Sequence, residues 1–289
     1  MKRAPVLTLL LLLAPALLLI GLLALYPILR VLALSLFRTE YGFTDASFVG
    51  FANYVDLLSD RFFRRATWNT VLFTLLATLF EVGLGLLLAL LFHRRFPARR
   101  WLTPAVVFPF VLSTMVVSAI WRAWFHFDYG FLNNLLRALG LPPVKWLFDP
   151  DLALLSIVLV DVWQTTPIAF LVLLAGLQAI PEEVVEAARL DGAGRLQILR
   201  HITLPLLSGH LLLAALLRTI ESFKLFDKVF ALTGGGPGNA TETLSLNVYR
   251  SAFRFAEVGY ASAAASIMLV IAGLLAAVYA RRILRGGRG

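Results

Sequence analysis

The sequence predicts an all-α membrane protein of six transmembrane helices, with both termini on the cytoplasmic side. Three observations predict it. Of 289 residues, 60% are hydrophobic and 15% charged, and the mean hydropathy is +0.83. A soluble globular domain holds about 45–50% apolar and about 25% charged residues. Uncharged or nearly uncharged runs recur, each long enough to cross roughly 30 Å of hydrocarbon at about 1.5 Å per residue. Lys and Arg crowd the segments on one side of these runs. The alternating strands of roughly ten residues that build a transmembrane β-barrel are absent.

The runs justify themselves in order. Residues 6–29 are 24 uncharged residues behind a basic start. A secretory signal would have a shorter apolar region, so this is read as a retained helix. The run 66–92 is broken only by Glu81, 101–125 only by Arg122, and 152–180 only by Asp161. The run 202–225 is clean until Arg218, Glu221 and Lys224, and 258–280 carries no charge. With the N-terminus inside, segments 1–5, 93–100, 181–201 and 281–289 hold 13 Lys and Arg in fewer than 50 residues. Segments 38–65, 126–151 and 226–257 hold 9 in more than 80. The positive-inside rule then gives an N-in, C-in topology.

That bias accounts for the net charge of +9 and the pI near 10.3 better than a nucleic-acid partner does. The clusters at 93–100 and 281–289 are membrane-edge anchors, with contact to anionic head groups as a minor addition. The expected division is an N-terminal helix and external segment at 1–65, a five-helix core at 66–282, and a short basic tail at 283–289. The chain has no cysteine, and its four histidines show no ligand spacing. No metal site is expected.

The most polar ordered-looking segment is PEEVVEAARLDGAGRLQILRHITLP, residues 181–205. Pro181 suits a first helical turn, and Glu182 and Glu183 favour the positive end of a helix dipole. Glu186 and Arg189 are i, i+3 neighbours. Gly192 can take the left-handed conformation that ends a helix, and Asp191 can cap the next turn. A second short helix over 193–200 follows. Thr203 is expected to cap the fifth span, with Pro205 in its first turn. An ordinary connector lying on lipid is one reading. Ala187, Ala188, Ala193 and the flanking glycines instead leave a small-residue surface on which another protein can dock.

Glu186-Ala187-Ala188, then Asp191-Gly192-Ala193, then Ile202-x-Leu204-Pro205 resembles the EAA loop of ABC-importer permeases. In that family the loop docks into a groove on a cytoplasmic ATPase. The resemblance implies the type I importer permease fold and assigns these nine residues to ATPase coupling. The stretch 222–253 is similar to an external loop of the carbohydrate-type permeases, the maltose and glycerol-phosphate group. The resemblance covers about 66–282, and the short C-terminus is like that of the first member of a permease pair. It implies a second permease, two ATPase subunits that hold ATP and Mg, an extracytoplasmic sugar-binding protein, and a bacterial or archaeal cell membrane.

Two further stretches carry candidate sites. Thr233-Gly-Gly-Gly-Pro-Gly lacks the Lys of a phosphate-binding loop. It reads as a flexible turn or, by the resemblance, as a binding-protein contact through Gly234, Gly235, Gly236 and Pro237. Asp161 is a costly intramembrane acid and should face the bundle interior or a cavity. Trp163 offers a sugar-stacking face, and Gln164 and Thr165 offer hydrogen bonds. The plainer reading of Asp161 is interhelical glue or a partner for Arg122. The resemblance places Asp161, Gln164, Thr165, Ser222 and Leu225 along the substrate cavity. Arg218, Glu221 and Lys224 read as ion pairs on one helix side. Glu81 has no evident partner.

These features converge on the permease subunit of an ATP-driven sugar importer that performs no covalent chemistry itself. A secondary carrier using Asp161 or Glu81 as ion sites is the alternative. No grouping of acid, His and Ser points to an enzyme.

Overall fold

The computed structural model describes residues 6–40, 45–94 and 96–286. Residues 1–5, Arg95 and the last three residues of the expected basic tail lie outside them. Among the described residues, five helices are long and apolar enough to cross a membrane: Leu12–Leu34, Arg61–His93, Ala153–Gln178, Arg195–Phe223 and Val258–Arg282. They are spans one, two, four, five and six.

Span three departs from the straight run expected at 101–125. It is a pair of helices, Arg99–Val111 and Thr114–Trp124, bent by 95° at the break. Pro104 and Pro109 lie inside the first helix, and each leaves a carbonyl one turn earlier without its helical donor. At the break, Leu112 and Ser113 are extended, with ψ of 142° and 134°. The freed carbonyl of Leu112 accepts a hydrogen bond from Gln164 Nε2 at 3.0 Å. Irregular backbone at membrane depth survives only with such a partner or beside a cavity.

The chain forms two compact units. One is the chain up to Arg64 together with Asn247–Val270; the other is Arg65–Leu246 together with the segment from Ile271 onward. In the first, β1 (Phe37–Glu40) and β2 (Asp45–Phe48) pair antiparallel, with Phe37 opposite Phe48. This hairpin is the only β-sheet among the described residues. Asn53 Nδ2 donates to the carbonyls of Ser35 and Phe37. The Gly259 N–H donates to Thr39 Oγ1 at 3.0 Å, and a Cβ on Gly259 would collide with the Phe37 carbonyl. The start of span six is therefore held directly against the hairpin.

In the second unit, span four is predominantly apolar and mostly buried, the pattern of a helix wrapped by others. Span two crosses it at Gly85, where a Cβ would lie 2.7 Å from Ala169 Cβ and 2.9 Å from the Phe170 nitrogen. Span five crosses it at Gly176, where a Cβ would lie 2.7 Å from Leu207 Cδ1. Small residues at membrane helix crossings let the backbones approach. Phe92, Phe170, Leu173, Leu177 and Leu207 fill the core beside these crossings, with the Phe92 and Phe170 rings 5.3 Å apart edge to face.

Glu81, the acid without an evident partner, is fully buried on span two and bonds to Arg218 of span five. Arg218 Nε lies 2.5 Å from Oε2 and Nη2 lies 3.3 Å from Oε1. The planar guanidinium makes this a two-point contact that fixes orientation as well as distance. The pairing expected on one helix side thus holds for Glu221 and Lys224 but not for Arg218. Arg218 pairs across the bundle, while Lys224 and Glu221 pair with each other at 3.0 Å on the exposed side.

Two outcomes are expected in thermal unfolding of the purified protein. Gly85→Ala should cost about 1–3 kcal/mol by overpacking against span four. Gly83→Ala, with nothing within 4 Å of its Cβ, should be neutral or stabilise by about 0.5–1 kcal/mol. Equal effects at the two glycines would contradict the crossing. Glu81→Gln strands a buried guanidinium and should cost about 3–5 kcal/mol, most of it recovered in Glu81→Leu/Arg218→Met. A double variant no more stable than the single would contradict the pairing.

Candidate functional site

A cavity of about 580 Å³ opens between the break in span three, span four and the end of span five. Asp161, Gln164 and Thr165 line it, because i, i+3 and i+4 share one face of span four. Leu225 lines it from beyond the end of span five. Trp163, two positions from Asp161, lies outside the lining and packs edge-on against Trp121 at 5.7 Å. Ser222 is buried outside the lining, and its hydroxyl has no hydrogen-bond partner.

The polar groups of the wall are largely engaged. Lys228 Nζ is bonded to Asp161 Oδ1, and both side chains are buried. Asp161 Oδ2 keeps only a long approach of 3.9 Å from Arg218 and accepts no hydrogen bond. Arg122, the partner that the sequence offered for Asp161, instead donates to the Ala231 carbonyl. The Thr165 hydroxyl sits 2.7 Å from Glu81 Oε1 and 2.6 Å from the Asp161 carbonyl. Gln164 commits its amide N–H to Leu112, leaving Oε1 buried and without a donor.

Lys228 is the residue that the sequence did not disclose as part of this wall. It sits on the short helix Asp227–Leu232, in a stretch read as external loop. The available signal was the rule that a buried acid needs a base, applied to the few cations near the outer ends of the spans.

The polar loop forms the helix Glu182–Leu190, with Glu182 and Glu183 in its first turn. It ends as expected at Gly192, whose φ is +84°. The Gly192 N–H donates to the Arg189 carbonyl at 3.1 Å and the Ala193 N–H to the Ala188 carbonyl at 2.9 Å. This pair of bonds is a Schellman cap. Gly194, not Asp191, stands at the start of the next helix, where its N–H donates to Gln197 Oε1. Thr203 does not cap span five. It is helical, with φ −64° and ψ −51°, and makes no capping bond. A π-helical turn, Leu199–Thr203, joins Arg195–Ile198 to Leu204–Phe223, so the span continues into the loop. The π register accommodates the N–H that Pro205 lacks.

Most of the loop faces solvent. Glu186, Ala187, Asp191 and Gly192 are exposed, and Leu190 and Leu196 are 89% and 73% exposed. Ala188 and Ala193 are half-buried, as are Ile202 and Leu204. Behind the loop, Glu186, Arg189, Arg195 and His93 border a cleft of about 870 Å³.

The glycine-rich turn is packed rather than loose. Gly235 is buried, and Gly234, Gly236 and Pro237 are half-buried. Thr233 and Thr241 share a hydroxyl hydrogen bond of 2.7 Å, and Thr241 Oγ1 donates to the Gly236 carbonyl. Asn69 of span two donates to the carbonyls of Asn239 and Glu242. Gly234, Gly235 and Gly238 have φ between +55° and +89°, which only glycine adopts at little cost.

Among the described residues no group of His and acidic side chains could hold a metal ion.

Known proteins share both sequence and fold with this chain. Residues 81–286 match the family model described as binding-protein-dependent transport system inner membrane component. The sulfoquinovosyl glycerol transport system permease protein SmoG of Agrobacterium fabrum is 37% identical, over 94% of this chain and 89% of its own length. The trehalose/maltose transport system permease protein MalF of Thermococcus litoralis is 38% identical, over 88% and 85%. A chain of the bacterial alginate ABC transporter, crystallised with an alginate-bound periplasmic protein, superposes with a TM-score of 0.83. That match covers 94% of this chain and 92% of the other at 23% identity, and it supports the fold. A family match over most of the chain, two such relatives and the six-span architecture establish a multi-pass inner-membrane protein that belongs to the binding-protein-dependent transport system inner membrane component family.

Proposed function

We propose that this chain is one permease subunit of an ATP-driven importer for a sugar or sugar-like solute. The observation that carries the proposal is a continuous path through span five. Its N-terminal end emerges from the exposed loop at Arg195, and its other end presents Arg218 to the cavity. A partner that grips the loop would act on the cavity wall through one helix.

In this reading the loop 181–205 docks on a separate ATPase, which binds ATP and Mg. Glu186, Ala187, Ala188, Asp191, Gly192 and Ala193 form the contact, and Ile202, Leu204 and Pro205 carry it into span five. The exposed leucines at 190 and 196 are apolar groups that docking would remove from water. A second permease completes the pathway, and an extracytoplasmic binding protein delivers the solute near Gly234, Gly236 and Pro237. Asp161, Gln164, Thr165 and Leu225 face the solute. Trp163 and Ser222 support the wall from behind. ATP biases the cavity only if its outward-open form fits the closed ATPase better than its inward-open form does.

The carrier alternative is weaker on charge grounds. Both intramembrane acids are tied to buried bases, Glu81 to Arg218 and Asp161 to Lys228. A coupling ion would have to displace a cation already bound in the bilayer interior, where an unpaired charge is costly.

Vesicle uptake separates the readings. With both permeases, ATPase and binding protein present, uptake should require ATP and cease when the ATPase is left out. Persistent uptake without it would favour the carrier. Glu186→Arg should lower ATPase co-purification and sugar uptake at least tenfold, while leaving the thermal unfolding of the exposed-loop variant within about 0.5 kcal/mol of the parent. Intact association and uptake in that variant would sink the docking role.

A further inference from the structure

The two curated relatives pull in different directions on the solute. One is named for a sulfoquinovosyl glycerol and the other for trehalose and maltose, at 37% and 38% identity. The first solute is a sulfonate and the second two are uncharged, so similarity alone does not choose between them. The wall of the cavity does.

Six charged residues line it: Asp161, Arg218, Glu221, Lys224, Asp227 and Lys228. The three bases are all committed. Arg218 is bonded to Glu81, Lys228 to Asp161, and Lys224 to Glu221. The first two pairs are buried, and Glu81 sits behind Arg218, outside the lining. An entering carboxylate or sulfonate would find every base of the wall already paired, and it would add negative charge beside the buried Asp161. To gain Arg218 or Lys228 it would have to evict a buried carboxylate, which then stands unpaired, while Lys224 sits in an exposed ion pair that contributes little.

A hydroxyl meets the opposite situation. Asp161 Oδ2 and Gln164 Oε1 are buried acceptors that no donor fills. The orientation of Gln164 is set by the N–H that it donates to the Leu112 carbonyl. An ammonium has three N–H donors, so Lys228 keeps hydrogens for a hydroxyl oxygen after bonding Asp161. Acceptors and donors therefore stand side by side, which matches a group that both gives and takes a hydrogen bond. Unfilled buried acceptors are rare and costly in folded proteins, and a hydroxyl would satisfy them.

We infer that this chain's half of the cavity selects an uncharged polyhydroxylated solute against acidic sugars, with the Asp161–Lys228 pair as the specificity determinant. The inference rests on the importer reading above. It extends that reading from sugars in general to uncharged ones.

The complete transporter is reconstituted in vesicles. ATP-dependent uptake is measured for maltose, trehalose and neutral oligosaccharides, and for glucuronate, alginate oligosaccharides and sulfoquinovosyl glycerol. The imported probes should be uncharged, with every acidic probe at least tenfold slower. ATP-dependent import of an acidic probe at or above the neutral rate overturns the inference and leaves the importer reading standing. Uptake that ignores ATP, or no ATP-dependent uptake at all, removes the importer reading and the inference with it. A second arm ties the selection to this cavity rather than to the binding protein. Asp161→Asn frees the Lys228 ammonium, and should make uptake of the neutral probe at least tenfold more sensitive to inhibition by its acidic counterpart. Asp161→Asn/Lys228→Met should return that sensitivity to the parental level. Unchanged sensitivity in the single variant overturns the assignment.

Discussion

Four charges buried in an apolar bundle constrain everything packed around them. Glu81 comes from span two, Asp161 from span four, Arg218 from span five, and Lys228 from the short helix that follows. Apolar surfaces do not fix how these helices are rotated, since lipid tails satisfy a leucine as well as a neighbouring helix does. The glycines at 85 and 176 set how closely the spans approach. The ion pairs then set rotation and register, because a carboxylate turned away from its base would leave two charges unpaired in the membrane interior. Thr165 strengthens the arrangement by placing its hydroxyl between Glu81 and the backbone of span four. The cavity inherits its chemistry from this balance.

The cavity also depends on a break that composition hides. Pro104 and Pro109 weaken the first half of span three, and the extended residues Leu112 and Ser113 turn the chain by 95°. Gln164 then does two things at once. Its N–H satisfies the freed Leu112 carbonyl, which stabilises the break, and its oxygen is left facing inward with no donor.

Much of this was legible in the sequence, and the rest was hidden for physical reasons. The spans follow from composition because bilayer thickness fixes a length and a polarity. The bent loop followed from the Asp191-Gly192 break, since only glycine adopts the required left-handed φ cheaply. The break in span three was not legible, because prolines are uncharged and a run of mean hydropathy passes over them. The partner of Glu81 lay 137 residues away, and pairing at that distance is decided by tertiary packing. Trp163 could have been separated from Asp161, Gln164 and Thr165 by helical period alone, since two residues turn a helix by about 200°. Thr203 failed as a cap because the helix runs straight through it, the π-helical turn having absorbed the disruption that Pro205 introduces.

The same charges decide which parts of the wall can move together. Span five is continuous from the exposed loop to Phe223, so a displacement of the loop carries Arg218 with it. Arg218 is held to Glu81 by two hydrogen bonds, so span two is drawn along with span five. Lys228 stands beyond the end of span five on its own short helix, and it bonds to span four. Both pairs reach the cavity, and they meet where Arg218 approaches Asp161 at 3.9 Å. Asp161 and Lys228 can part while Arg218 stays bonded to Glu81. That parting would expose to the cavity the acceptor and donor that a hydroxyl can replace, whereas separating the deeper pair would leave two charges with no substitute. The energetics therefore put the more replaceable contact at the cavity wall, while the Glu81–Arg218 pair and the Thr165–Glu81 hydrogen bond tie spans two, four and five together.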